Sequence, residues 1–90
     1  MINVGIIGFG YWGPNLARNF SMASNVELLK IADKNLNRCN IAKKSYPKVE
    51  ITKNPDELIQ DSNIDLVVIA TPVSTHFDLA IKALENGKHV

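Results

Sequence analysis

The sequence predicts a doubly wound α/β domain, a parallel sheet with helices on both faces, and three observations carry that prediction. Short apolar runs rich in β-branched residues alternate with stretches of helical periodicity along the whole chain. The first such run is ended by glycines and opens directly into an amphipathic helix. The run from Ile64 to Ala70 (IDLVVIA) is almost wholly apolar, as a strand covered on both faces must be.

Ile2 to Ile7 (INVGII) reads as the first buried strand. Trp12, Leu16 and Phe20 then recur at i, i+4 and i+8 with Ala17 beside them, one apolar stripe of a helix. Pro14 falls in its first turn, where backbone N–H groups have no intrahelical acceptor to lose. Val26 to Ala32 (VELLKIA) is the second strand, closed by Asp33. A weaker helix from about Asn35 to Tyr46 carries Leu36, Cys39, Ile41 and Ala42, and Pro47 ends it. Val49 to Thr52 is a short strand near a sheet edge. Asn54 as N-cap, Pro55 as first helical residue and Glu57 two positions on start a brief helix through Leu58 and Ile59. After the Ile64–Ala70 strand and Thr71-Pro72, Ser74 or Thr75 can cap a last helix. Its apolar stripe is Phe77, Ala80, Ile81 and Leu84, and Gly87 ends it. Lys88-His89-Val90 reads as the opening of another strand. The expected sheet has four strands plus the start of a fifth, in local order 3-2-1-4, an incomplete version of a six-stranded fold.

Composition narrows the function classes. The chain has 90 residues, a hydrophobic share of 46% and a formal net charge of +1. One small domain fits, and the even charge balance argues against a nucleic-acid partner, which needs a basic excess. No apolar run approaches the roughly 18–20 residues needed to span a bilayer, so no membrane partner is expected. Met1 leads into a strand pattern rather than a signal-like segment, and the one cysteine, Cys39, has no partner for a disulfide. The expectation is a reduced, cytoplasmic domain. No His, Cys, Asp and Glu spacing resembles a metal site, and Cys39 has no neighbouring base that would make it a nucleophile.

Chemistry is carried by Gly8-Phe9-Gly10-Tyr11-Trp12-Gly13, a G-x-G-x-x-G turn placed between a strand and a helix, with Asp33 ending the next strand about 20 residues on. This is the dinucleotide fingerprint of the Rossmann fold. Gly8 allows the tight turn, Gly10 lets a pyrophosphate reach the backbone, and Gly13 lets the helix pack closely on the sheet. The N–H groups around Tyr11 and Trp12, at the positive end of the helix dipole, face the phosphates. Asp33 accepts from the ribose hydroxyls of NAD and would repel a 2′-phosphate roughly 4 Å away by about 4 kcal/mol at an effective dielectric near 20. Lys34 and Arg38 could swing over such a phosphate, which leaves NADP open. The plainer alternatives are a simple strand-to-helix turn with a surface carboxylate, and a methyltransferase site for adenosylmethionine. For Trp12, packing against Leu16 is the plainer role. His89 reads as structural, and Lys43-Lys44 as a solvated helix face.

The chain resembles the N-terminal domain of the glucose–fructose oxidoreductase/inositol dehydrogenase (Gfo/Idh/MocA) family. The matching residues are Val4 to Gly13, Ala32-Asp33, Ile69-Ala70-Thr71-Pro72 followed by His76, and Ala83 to Val90. The Gly-Tyr-Trp-Gly-Pro-Asn turn is similar to that of members acting on nucleotide-linked sugars. The resemblance implies hydride transfer between NAD(P) and a secondary alcohol of a sugar, nucleotide-sugar or cyclitol. It places Thr71 and Pro72 against the cofactor near its nicotinamide end, with His76 close by. The family's Glu-Lys-Pro segment, whose lysine handles the proton of the alcohol, and its C-terminal substrate domain lie beyond Val90. Residues 1–90 are therefore expected to be the N-terminal part of a dinucleotide-binding domain, with no catalytic residue and no turnover of its own. The other readings are a stand-alone, non-catalytic nucleotide-binding or sensing module, and a fragment without a function. An open strand edge is further expected to promote self-association.

Overall fold

The computed structural model describes residues 1–90, apart from the side chain of Val73. The elements follow in the order β1 (Ile2–Ile7), α1 (Gly13–Met22), β2 (Val26–Ala32), α2 (Leu36–Ser45), β3 (Glu50–Thr52), α3 (Pro55–Gln60), β4 (Leu66–Ile69) and α4 (Val73–Glu85). The four strands form one parallel sheet in the expected order β3-β2-β1-β4. His89 bridges Leu66 in parallel, donating its N–H to the Asp65 carbonyl and accepting from Val67 N–H at 2.7 Å, so the start of a fifth strand is present beside β4.

Two cores lie on the two faces. Val4, Ile6, Leu28 and Ile31 point to one face, where Ala17 of α1 and Ala42 of α2 close over them. Ile7, Ala32 and Val67 point to the other, under Leu58 and Ile59 of α3, Ala83 of α4, and Ile64. Each fully buried branched side chain contributes about 1.5–3 kcal/mol relative to exposure, so both faces are needed. Pairing between β1 and β2 slips at Val4/Gly5: Val4 faces Leu28, Gly5 faces Lys30, and Leu29 is left over. That bulge puts Leu28 and Ile31, three residues apart, in the same core, while Leu29 and Ala32 pack on the other. Gly5 is required opposite it, because a Cβ there would stand 2.7 Å from Leu58 Cδ2.

Local capping departs from the sequence expectation at two helices. Asn54 caps α3 by accepting from Asp56 N–H at 3.0 Å, but Glu57 does not reach back to it. The Glu57 carboxylate instead takes the Thr52 hydroxyl at 2.6 Å, and Thr52 Oγ1 in turn accepts the Asn54 N–H at 3.1 Å. Neither Ser74 nor Thr75 caps α4, which starts earlier, after Pro72. The Thr75 hydroxyl donates to the Pro72 carbonyl at 2.8 Å, so it serves the turn rather than the helix end.

The expected stripe on α4 is also offset by one position. Phe77 is 74% exposed, and Ile81 and Leu84 are exposed as well, whereas His76, Leu79 and Ala80 are half-buried and Ala83 is buried. The helix rests on the sheet through the small Ala83 and through Leu79, which brings it close and turns the bulkier side chains outward. Trp12 likewise leaves its expected stripe: it precedes α1, is 61% exposed and stacks edge-on against Tyr11, so it does not share the buried side of Leu16 and Phe20.

An unexpected buried charge sits in the middle of β2. Lys30 is 7% exposed and reaches Asp61 at 2.8 Å and Glu50 at 3.1 Å. The Lys88 ammonium donates to the Asp61 carbonyl at 2.6 Å, which ties the 88–90 segment to the end of α3. Burial pulls the Lys30 ammonium down, but its bonds to Asp61 and Glu50 outweigh that and hold it above the ordinary value of 10.5. The Lys30 hydrogen bond, helped by the Asn63 N–H, holds Asp61 below its ordinary 3.8. A lowered carboxylate stabilises the fold above its unfolded pKa and loses that contribution as pH falls through its folded pKa. Asp61→Asn is therefore expected to cost about 3 kcal/mol at neutral pH, because Lys30 loses one partner of a buried pair. The difference from the parent should shrink below pH 3.8. Urea titrations at neutral pH and at the acid limit check both points, and a constant difference across pH would refute the assignment.

Candidate dinucleotide site

The carboxyl ends of β1, β2 and β4 open on one cavity of about 720 Å³. In the order β3-β2-β1-β4 the chain leaves β1 toward one side of the sheet and returns to β4 on the other, so this is the switch-point crevice where doubly wound folds bind ligands. The crevice takes its shape from three backbone bonds: Gly8 N–H to Ala32 at 2.7 Å, Ala70 N–H to Ile7 at 2.8 Å and Asp33 N–H to Thr52 at 3.0 Å.

The glycine turn forms its floor. Gly8 has φ +102, open to glycine at no steric cost, and a Cβ there would meet the Ala70 carbonyl oxygen at 2.8 Å. A Cβ on Gly13 would collide with the Gly8 carbonyl oxygen, so α1 starts as close to β1 as the backbone permits. Gly10 differs from expectation. A Cβ there would meet the Arg38 guanidinium, at 2.8 Å from Cζ, so in this structure a side chain from α2 lies over the open backbone. No side chain caps α1 and no acid occupies its first turn, which leaves that end able to receive an anion.

Phe9, which the motif treats as a variable position, turns into the α1/α2 core and meets Tyr46 edge to face at 6.3 Å. Its N–H is held by Asp33 Oδ2 at 2.7 Å, while Asp33 Oδ1 accepts the Asn35 N–H at 2.8 Å. Asp33 is only 6% exposed, which excludes the surface-carboxylate reading. The carboxylate is first of all a clasp between the glycine turn and the end of β2. Cys39 lies beneath it, its thiol 3.0 Å from the Asp33 carbonyl.

On the far wall, Thr71 and Pro72 follow β4. The Thr75 hydroxyl proton is committed to Pro72, so in the 2.6 Å pair it is Thr71 that donates to Thr75. The His76 ring nitrogen Nε2 meets the Thr71 carbonyl, an acceptor only, and must therefore carry the proton. His76 thus braces the 71–72 turn from inside the cavity wall.

Of the eleven residues expected at a site, ten line this cavity, and Gly13 lies behind its floor. Sequence reasoning missed Pro55, Asp78 and Lys82, which close the cavity on the α3/α4 side. Lys82 and Asp56 pair there at 3.6 Å. No local motif marks these positions; the packing of α4 beside α3 brings them in. Among the described residues there is no group of three His, Cys, Asp or Glu side chains that could hold a metal ion. Among the described residues no helix is long and apolar enough to cross a membrane.

Residues 2–90 match the Gfo/Idh/MocA model, described as an oxidoreductase family with an NAD-binding Rossmann fold. The chain belongs to that family. It is 41% identical over 90 residues to the uncharacterized oxidoreductase YdgJ of Escherichia coli K12, covering 99% of this chain and 25% of that protein. It is 37% identical to 2,7-anhydro-N-acetylneuraminate hydratase of the same organism, covering 100% of this chain and 23% of that one. Among solved structures, scyllo-inositol dehydrogenase from Lactobacillus casei with bound NAD(H) and scyllo-inositol superposes with a TM-score of 0.91 at 30% identity, over 100% of this chain and 27% of that chain. The chain thus spans about a quarter of the length of the relatives it matches. It is an NAD-binding Rossmann domain of an oxidoreductase family, and the methyltransferase reading is set aside.

The clasp yields a prediction. Asp33→Ala strands the Phe9 and Asn35 N–H groups and should lower stability by about 3 kcal/mol, the scale of losing two bonds to a charged acceptor. Chemical denaturation measures it; a loss under about 0.5 kcal/mol, the usual surface range, would show that the turn holds itself.

Proposed function

We propose that this chain is the cofactor-holding portion of an enzyme that transfers hydride between NAD and a secondary alcohol of a sugar, nucleotide-sugar or cyclitol. The observation that carries the reading is the convergence of the glycine turn, Asp33 and the Thr71-Pro72 turn on a single crevice. The solved relative that carries both NAD(H) and scyllo-inositol supports the substrate class. When bound, NAD supplies the hydride acceptor. Gly8, Gly10 and Gly13 leave the room for its phosphates, with the N–H groups near Tyr11 and Trp12 to receive them. Asp33 and its neighbours Lys34 and Arg38 face the adenosine ribose, and Thr71, Pro72 and His76 form the wall on the nicotinamide side. The group that takes the alcohol proton belongs to another part of the enzyme, so residues 1–90 bind the cofactor without turning over substrate.

Trp12, the one tryptophan, lines the cavity and reports on it. NADH added to the purified chain should quench its emission saturably, while no sugar or cyclitol should generate NADH from NAD. Absence of saturable binding would sink the site reading, and substrate-dependent NADH formation would sink the division of labour. The outer edge of β4 past Val67 has no strand beside it among the described residues, and Phe77, Ile81 and Leu84 are exposed nearby on α4. Such an edge pairs readily with another, so self-association is part of the proposal. Sedimentation velocity should show dimers or larger species growing with concentration; a monomer at every concentration would count against it.

A further inference from the structure

One glycine of the chain, Gly87, follows an asparagine. Such a pair is chemically labile, because no side chain on the glycine hinders its backbone nitrogen. That nitrogen, once it gives up its proton, attacks the asparagine side-chain carbonyl carbon, and ammonia leaves. Water then opens the resulting succinimide at either carbonyl. One opening leaves aspartate. The other leaves isoaspartate, whose main chain runs through the side-chain carbon and is one methylene longer.

The fold both installs this pair and restrains it. Gly87, at φ +75, is the left-handed residue that closes α4. Its N–H donates to the Leu84 carbonyl at 3.0 Å, and the Lys88 N–H donates to the Ala83 carbonyl at 3.0 Å, the two bonds of a glycine cap. The attacking nitrogen is therefore held by Leu84, and the Asn86 side-chain Nδ2 donates to the Lys82 carbonyl at 2.8 Å. Asn86 has ψ 14, which sets Gly87 N almost in eclipse with Asn86 N. Closing a ring through Cβ and Cγ needs that nitrogen beside Cβ instead, a third of a turn away on the tetrahedral Cα. Rotation of that size swings every residue after Asn86. Residues 88–90 cannot follow while docked, since Lys88 is 8% exposed and donates to the Asp61 carbonyl at 2.6 Å. His89 is held as well, by the Asp65 carbonyl at 3.0 Å and the Val67 N–H at 2.7 Å.

We infer that Asn86 is a modification site gated by the fold: it converts to aspartate and isoaspartate only while residues 86–90 are released from β4, and isoaspartate then keeps them released. The extra methylene breaks the spacing by which Lys88 N–H meets Ala83. A carboxylate also replaces the Nδ2 donor at the negative end of the helix dipole. The modification thereby bares the edge of β4 that His89 covers.

The test is timed incubation of the 90-residue chain at mildly alkaline pH, followed by trypsin. The pair is recovered in the peptide Ala83 to Lys88, and chromatography with mass spectrometry separates its three forms. The folded chain should convert at least about tenfold more slowly than a synthetic peptide of the same six residues, the ratio reading the fraction released. Both rates should rise with pH, because the Gly87 nitrogen must lose its proton. Lys88→Met, which removes the bond to Asp61, should speed conversion by about tenfold, and Asn86→Gln should stay intact. Amide exchange at Val67 should be faster in the isoaspartate form than in Asn86→Gln incubated alike. Equal rates in chain and peptide, including none in both, would overturn the inference. An unchanged rate in folded Lys88→Met would overturn it too, and so would a fully protected Val67 in the isoaspartate form. The comparison of chain with peptide needs no variant and decides the matter even if Lys88→Met fails to fold.

Discussion

The whole arrangement depends on how little space separates the end of β1 from the start of α1. Gly8 and Gly13 approach so closely that one added carbon on Gly13 would collide with the Gly8 carbonyl. Such a turn exposes backbone N–H groups with few ways to satisfy them, and the Asp33 carboxylate takes one at Phe9 from across the sheet. The same carboxylate takes another at Asn35, just before α2. One buried anion thereby sets the position of the glycine turn, the end of β2 and the entry to α2. The cavity between them inherits its shape from that clasp.

The two walls of the crevice are built by different means. Toward α1 and α2, backbone and charged side chains dominate: an uncapped helix end, Asp33, Lys34 and Arg38. Toward α4, the 71–72 turn is held by short-range hydroxyl and imidazole bonds among Thr71, Thr75 and His76. The first wall suits a charged, flexible ligand portion, because long side chains there can reorient. The second keeps a fixed contour at the 71–72 turn, since the Thr71, Thr75 and His76 side chains each already have a partner within five residues.

Away from the site, the sheet contains one departure from an apolar interior. Lys30 crosses the space beside Gly5 and ends among Asp61 and Glu50, and Lys88 joins at the Asp61 carbonyl. The bulge in β2 makes this layout feasible, because it frees Leu29 from the pairing register and allows Lys30 to stand opposite a residue without a side chain. A buried pair of this kind adds little net stability but is costly to break, so its effect is to hold α3 and the 88–90 segment in one register.

Much of this was legible in the sequence. The alternation of strand and helix, the sheet order, the opening of a fifth strand at His89 and seven of the cavity-lining residues, from the glycine turn and the end of β2, followed from local pattern, while Thr71, Pro72 and His76 came from the family resemblance. They could do so because glycine spacing, β-branched runs and turn residues act over a few positions, and right-handed crossovers then leave few topologies. Helix facing on α4 was not legible. Phe77, Ile81 and Leu84 make as good an apolar stripe as His76, Leu79, Ala80 and Ala83, and only close approach to the sheet selects the row with small residues. The clasp made by Asp33 and the buried pairing of Lys30 were hidden for the same reason. Each depends on partners brought from other elements, and a charge in a sequence does not say whether water or a folded neighbour will surround it. The sequence by itself determined which elements form and where a dinucleotide could enter; tertiary packing decided which side chains stand inside the crevice and which charges face one another there.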